Sequence, residues 1–194
     1  MTDKIVYNGK LFQVITRSSR TELDIDGKKV TKDLTIELVR RPPGVRAIIE
    51  KDGKLMLNRE YRYELKDWDY RLPGGKVFDS LKEFQTALES DTVEESAYGK
   101  LAEEVLEEAD IKVEDFRLFA VSQCGLTVEW DLYYFIVDKF QVLPSFYSEE
   151  KQKSEFEYIE HVWLTFEQVK QLVFQGKMQE DRSISMLFKY MMEM

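Results

Sequence analysis

The stretch from Glu94 to Ile111, EESAYGKLAEEVLEEADI, constrains this chain more than any other. Its apolar positions Ala97, Leu101, Val105 and Ala109 recur every four residues, the mark of a helix that buries one stripe. Glu104, Glu107 and Glu108 stand at i, i+3 and i+4 and so share a helical face. Between Glu94 and Glu108 six glutamates meet one basic residue, Lys100. Like charges at that spacing cost about 0.2–0.5 kcal/mol per pair in an isolated helix. A bound cation would remove the repulsion, and carboxylate oxygens are the ligands that a hard cation such as magnesium takes. A solvated acidic face has the same pattern. Thr92 and Glu95 also have the spacing of a capping box, which explains Glu95 without a metal.

The net charge of −9 disfavours a nucleic-acid polymer or an anionic membrane as partner. An acidic protein that handles a phosphorylated small molecule needs metal ions or local arginines to offset repulsion. With 194 residues, 43% hydrophobic and 13% aromatic, the chain reads as one large folded domain, or one domain with a small appended arm. Its single cysteine, Cys124, excludes an internal disulfide and a CxxC metal site, which fits a reducing cytoplasm. The opening MTDKIVYNGK lacks an apolar signal region, and no apolar run reaches the ~18 residues of a membrane span.

Residues 1–41 read as a small β-rich arm, with strands at Leu11–Ile15 and Leu34–Val39 and a turn at Asp26-Gly27. Pro42-Pro43-Gly44 punctuates the chain, and residues 42–194 form the main domain. Val45–Glu50 and Lys54–Arg59 form a hairpin across Asp52-Gly53. Arg59, Arg62 and Arg71 follow, interleaved with Tyr61, Tyr63, Trp68 and Tyr70. Such a cluster suits a pocket in which arginines hold phosphate oxygens and a ring stacks on a base. It equally suits ordinary sheet aromatics beside exposed arginines. Leu72-Pro73-Gly74-Gly75 supplies a tight loop where backbone can approach a ligand.

Residues 76–93 read as an insertion carrying a short helix, capped by Ser80 and Glu83. Gly99 inside the acidic helix is expected to permit close packing against the sheet or the glycine loop. Strands are expected at Phe116–Gln123, Trp130–Asp138 and Tyr158–Leu164, with Glu129 the one acid on the loop between the first two. The long polar loop before Tyr158 carries Glu149, Glu150, Glu155 and Glu157, and loops of that length are often functional. A capping box at Thr165 and Gln168 opens a helix to Phe174, and a last amphipathic helix holds Ile184, Leu187, Phe188 and Met191. His161 within a strand reads as structural. The order of elements suggests a mixed sheet between helices, an α/β sandwich.

These residues resemble the Nudix hydrolases, whose signature is G-x5-E-x7-R-E-U-x-E-E-x-G-U with U a bulky apolar residue. Glu95 lies eight residues before Glu103; Glu104, Val105, Glu107, Glu108 and Ile111 fall on matching positions. Glu103 stands where the family has arginine and Asp110 where it has glycine, while Gly75, the nearest match to the leading glycine, is displaced by the insertion. RRPPGVRAIIEKDGKLMLNREYRY, WDYRLPGGK and EFEYIEHVWLTFEQV are similar to the ADP-ribose pyrophosphatase branch. The resemblance implies an α/β/α sandwich around a mixed sheet, with an N-terminal antiparallel arm serving dimerisation. It implies a metal-dependent pyrophosphatase acting on ADP-ribose or a nucleotide sugar and giving a nucleoside monophosphate.

On that reading Glu104, Glu107 and Glu108, helped by Glu95, hold Mg²⁺, with Mn²⁺ an alternative. Glu157, then Glu155, takes the attacking water's proton, and Glu104 belongs to the catalytic set. Arg62 and Arg71 position phosphates, Trp68 or Tyr63 stacks on the base, and Gly74, Gly75 and Glu129 complete the substrate-binding set. Lys100 stands in for the missing arginine. The competing expectation is a non-catalytic nucleotide-binding or regulatory protein that keeps the fold.

Overall fold

The computed structural model describes residues 2–144 and 158–193. Its first compact unit joins Met1–Pro43 with Phe78–Val93 and Gln123–Asp131. Here Asp26 and Gly27 both have positive φ, 54° and 78°, the geometry of a type I′ turn. That turn matches the twist of the strands it joins, so a long hairpin forms. Strand β1 (Thr2–Asn8) pairs antiparallel with β2 (Gln13–Ile25), and β2 with β3 (Lys28–Arg40). The arm therefore holds one more strand than the sequence led us to expect. TDKIVYN is exposed along its whole length and shows no buried face, so no burial pattern marks it.

Asp3, Arg17, Glu129 and Arg40 form a closed ring of alternating charge on this sheet. Arg17 Nε donates to Asp3 Oδ1 at 2.7 Å and Arg40 Nε to Glu129 Oε2 at 2.6 Å. The Arg17 hydrogen bond, helped by Arg40, holds the Asp3 carboxyl down at about 2. The expected insertion helix is α1 (Leu81–Glu89). Ser80 Oγ accepts from Glu83 N at 3.2 Å, but the Glu83 carboxylate reaches the backbone N of Asp79, one residue short of a closed capping box.

The second unit comprises Gly44–Val77, Glu94–Ser122 and Leu132–Met194. Its strands are β4 (Gly44–Lys51), β5 (Lys54–Arg62), β6 (Asp67–Arg71), β7 (Ile111–Ser122), β9 (Leu132–Val142) and β10 (Ile159–Thr165). A short strand, β8 (Val128–Glu129), belongs to the first unit and pairs with β3. The main sheet runs β10-β5-β4-β9-β7. Only β4 and β9 pair parallel, so the sheet is mixed as expected. GVRAII of β4 and LYYFIV of β9 are buried without alternation, as central strands covered on both faces must be. Asp52 and Gly53, φ 53° and 71°, close the β4–β5 hairpin with the same turn geometry. β10 occupies one edge of β5 over Lys54–Glu60, so β4 and β6 share the other.

The helices of this unit are α2 (Val93–Ala109), α3 (Phe166–Phe174) and α4 (Asp181–Glu193). Tyr98 of α2 packs edge-on against Phe135 at 4.9 Å between ring centres, while the hydroxyls of Ser183 of α4 and Tyr134 lie 3.2 Å apart. Tyr134 and Phe135 are neighbours in β9 and point to opposite faces. So α2 and α4 cover the two faces, which makes this unit an α/β/α sandwich. Thr165 and Gln168 form the capping box that opens α3.

One expectation fails. A side chain added at Gly99 would meet nothing within 4 Å, so this glycine serves no close packing. Its flexibility in the unfolded chain is then a plain cost. Gly99→Ala is expected to stabilise the protein by about 0.5–1 kcal/mol, raising the thermal midpoint by roughly 2–4 °C in calorimetry.

Candidate functional site

The stripe of α2 is buried as its spacing requires: Ala97, Leu101 and Val105 are wholly covered and Ala109 nearly so. Glu104, one position from Val105, is drawn under with it and keeps only 6% of its surface exposed. Glu107 and Glu108 are half-buried, and Glu95 is exposed in the first turn. Glu95 precedes Glu104 by nine residues, which is about 13 Å along the axis and half a turn away in direction. Its charge there complements the positive end of the helix. Glu104, Glu107 and Glu108 thus share one side of the helix by their spacing, and Glu95 lies apart from it.

What these acids meet is the glycine loop. After β6 the chain runs along the open edge of β4: Ala47 N donates to Pro73 O at 2.8 Å and Val45 N to Gly75 O at 2.9 Å. Gly74 has φ +139°, and a Cβ on it would lie 2.9 Å from the Val45 carbonyl carbon. A Cβ on Gly75 would lie 2.5 Å from Glu104 Cδ. Gly74 is therefore required by β4, while a side chain at Gly75 would displace the Glu104 carboxylate. Gly74 N donates to Glu108 Oε2 at 2.9 Å. Glu104 and Glu108, one turn apart, are both brought onto this loop.

Lys100 reaches two of the acids. Its ammonium lies 2.9 Å from Glu103 and 3.5 Å from Glu104. Burial opposes its charge, but Glu103, Glu104 and Glu107 outweigh that and hold it above the usual lysine range. Asp110, just past the end of α2, is buried with φ +50°. That is the left-handed conformation common just past a helix end, and aspartate is among the few non-glycine residues that tolerate it.

Glu108 is held by Asn58, which sequence reasoning left out, and by His161, which it read as structural. Asn58 of β5 donates from Nδ2 to Glu108 Oε2 at 3.2 Å. It is 3% exposed, and its Oδ1 has no hydrogen-bond partner. An unsatisfied buried acceptor costs roughly 1–3 kcal/mol. His161 of β10 lies 2.5 Å through Nε2 from the main-chain oxygen of Glu108. A carbonyl only accepts, so Nε2 carries the proton.

The aromatic and arginine residues are placed as follows. Tyr61 and Trp68 are a cross-strand pair of β5 and β6, edge-on at 5.6 Å, and Tyr63 packs on Tyr61 at 5.4 Å. The Arg59 guanidinium covers one Trp68 face at 4.1 Å. Arg62 is clasped by Glu60 and Glu64. Arg71 lies 3.4–3.6 Å from Glu60, Asp69 and Glu180. β6 itself was not expected, because its run of aromatic and charged residues reads as a pocket lining. Glu129 belongs to the first unit, held by Arg17 and Arg40. Glu155 and Glu157 lie outside the described residues.

Arg46, the one charge within the buried run of β4, is met by Glu180 in a bidentate pair, Nε to Oε2 and Nη2 to Oε1 both at 2.8 Å. A charge inside an apolar strand demands such a partner, so Arg46 was the signal that could have pointed to Glu180. Burial would raise the Glu180 carboxyl; Arg46, Arg71 and the Ser183 hydroxyl overcome this and bring it to about 2.

Among the described residues no three His, Cys, Asp or Glu side chains stand together as a ready-made metal cage. Magnesium commonly takes only one or two carboxylates from a protein and completes its shell with substrate phosphates and water. Glu104 and Glu108, both turned to the Gly74-Gly75 loop, are two carboxylates that fit this habit.

The sheet, the helices on its two faces and the N-terminal antiparallel strands define a mixed α/β fold of Nudix type. The solved structure titled "Crystal structure of ADP compounds hydrolase" superposes on 97% of this chain and 91% of its own, with a TM-score of 0.58 at 17% identity. No family model and no curated protein matches the sequence. Among the described residues no helix is long and apolar enough to cross a membrane.

The low Glu180 carboxyl has a sign that can be worked out. A folded value below the unfolded one, 4.5, stabilises the protein above that pH and is lost as pH falls toward about 2. Denaturant melts are expected to show this loss between those limits. Glu180→Gln should lack that component and lose about 3–5 kcal/mol at pH 7, because it strands Arg46.

Proposed function

We propose that this chain is a metal-dependent hydrolase that cleaves the diphosphate of a nucleoside diphosphate joined to another group, ADP-ribose or a nucleotide sugar. The observation that carries this reading is the convergence of Glu104 and Glu108 on the backbone of the Gly74-Gly75 loop. The printed title of the structural neighbour, an ADP compounds hydrolase, supports the substrate class.

Glu104, Glu107 and Glu108 would hold Mg²⁺ or Mn²⁺. Bound there, the metal neutralises the diphosphate and lowers the pKa of an attacking water. Glu157, or Glu155, is proposed to take the water's proton. Arg71 and Arg62 are proposed to hold phosphate oxygens, exchanging bonds to their present carboxylate partners for charge-assisted bonds to substrate. Tyr63, which is exposed, and the face of Trp68 not covered by Arg59 are the stacking surfaces proposed for the base. The products are a nucleoside monophosphate and a phosphorylated second half. A cytoplasmic location accords with the single exposed cysteine.

A homodimer is part of the same proposal. Beyond the end of β1 the β2–β3 hairpin exposes Leu23, Ile25, Val30 and Leu34, with Ile36 just inside it. A two-stranded ribbon is marginal in water by itself, and a second copy of the arm would cover these side chains. Leu23 and Val30 are cross-strand partners. Replacing both by glutamate is expected to halve the mass measured by light scattering, and an unchanged mass would exclude this surface.

Release of AMP from ADP-ribose is the direct test. Wild type should release AMP only with Mg²⁺, and Glu108→Gln should lower the rate by roughly 100-fold or more. No release from ADP-ribose or from a panel of nucleotide sugars would overturn the reading.

A further inference from the structure

We infer that Asn58 and His161, a cross-strand pair on β5 and β10, act together as positioning residues that fix Glu108 for cation binding; this rests on the metal-dependent reading above. The two residues face each other in the β5–β10 register, so their side chains leave the sheet on the same side. They take hold of one residue at two points. Asn58 Nδ2 donates to the Glu108 carboxylate, and His161 Nε2 to the Glu108 main-chain carbonyl.

That carbonyl belongs to the last turn of α2, where the final four carbonyls have no partner within the helix. α2 has no basic residue in its last turn, and His161 supplies the donor from the neighbouring strand. The backbone of Glu108 is thereby pinned to β10 and its side chain to β5. Gly74 N donates to the same oxygen, Oε2, that Asn58 holds, so two donors on one oxygen set the rotation of the carboxylate.

The orientation of the Asn58 amide follows from its partner. An ionised carboxylate only accepts, so the NH₂ end must face Glu108 and the oxygen end is left buried without a partner. A side chain kept for stability alone would not carry that orphan acceptor, since leucine fills a similar volume with no polar atom to satisfy.

The test is Mn²⁺ titration by electron paramagnetic resonance of the free ion, with the metal-free thermal midpoint recorded for each variant. Asn58→Leu and His161→Leu are expected to weaken Mn²⁺ binding by roughly 10- to 100-fold. His161→Gln, whose amide N–H can occupy the place of Nε2–H, should bind close to wild type. In a Glu108→Gln background, Asn58→Leu should add no further loss, because its action passes through Glu108. Leucine variants that lower the midpoint yet bind Mn²⁺ as wild type does would overturn the inference and leave the hydrolase reading standing. If either leucine variant fails to fold, the contrast between wild type, His161→Gln and the Glu108→Gln background carries the decision: loss of binding in His161→Gln overturns the inference. Wild-type protein that binds no Mn²⁺ would overturn both readings together.

Discussion

The close approach of α2 to the glycine loop is the constraint on which the rest of the site depends. The Glu104 carboxylate keeps its place against the loop because Gly75 has no side chain, and the loop presents that glycine through carbonyls that pair with β4. Helix, loop and strand are thus tied by contacts that none of them could make alone. The arrangement holds several carboxylates closer than their charges favour. Repulsion of a few tenths of a kilocalorie per pair is small beside the burial of a four-residue apolar stripe, which is worth roughly 1.5–3 kcal/mol for a large side chain. Packing sets where the acids stand, and their mutual repulsion is left as a standing demand for positive charge.

That demand is answered unevenly. Lys100 sits one turn before Glu104 and neutralises part of the cluster from the helix itself. The Arg46–Glu180 pair is closed and buried, with the Nε–Nη2 edge on the carboxylate and Nη1 on the Val45 carbonyl, so its charges cancel within the protein. Arg62 and Arg71 are half-buried among carboxylates, and under the proposed function they would exchange these bonds for a phosphate. An acidic chain can in this way keep arginines both as fixed struts and as reserves for an anionic ligand.

The sequence was most informative where burial follows a period. The stripe of α2, the unbroken apolar runs of β4 and β9 and the capping box of α3 were each legible, because local chemistry and tertiary environment agree there. β1 was not, since its pairing comes entirely from β2 and its own residues are exposed throughout. β6 was missed for a related reason: Tyr61 and Trp68 pair across strands, yet along the chain they look like a pocket. The partners of Glu108 and Arg46 were beyond reach for a different reason. Asn58 is 50 positions from Glu108, and Glu180 is 134 from Arg46. Distances of that kind are fixed by topology, which no window of sequence contains.

The parallel pairing of β4 with β9 also sets an order of events. The arm hairpin needs only the residues beside its own turn and can close within microseconds. β4 cannot complete its ladder until Leu132 arrives to pair with Gly44, after all of α2 and β7 have been made. Non-local closure of this sort is slow, and the glycine loop lies along that same strand. During synthesis the acidic helix therefore emerges well before the strand ladder that its loop depends on is complete, and the chain spends that interval with its charges assembled and their scaffold unfinished.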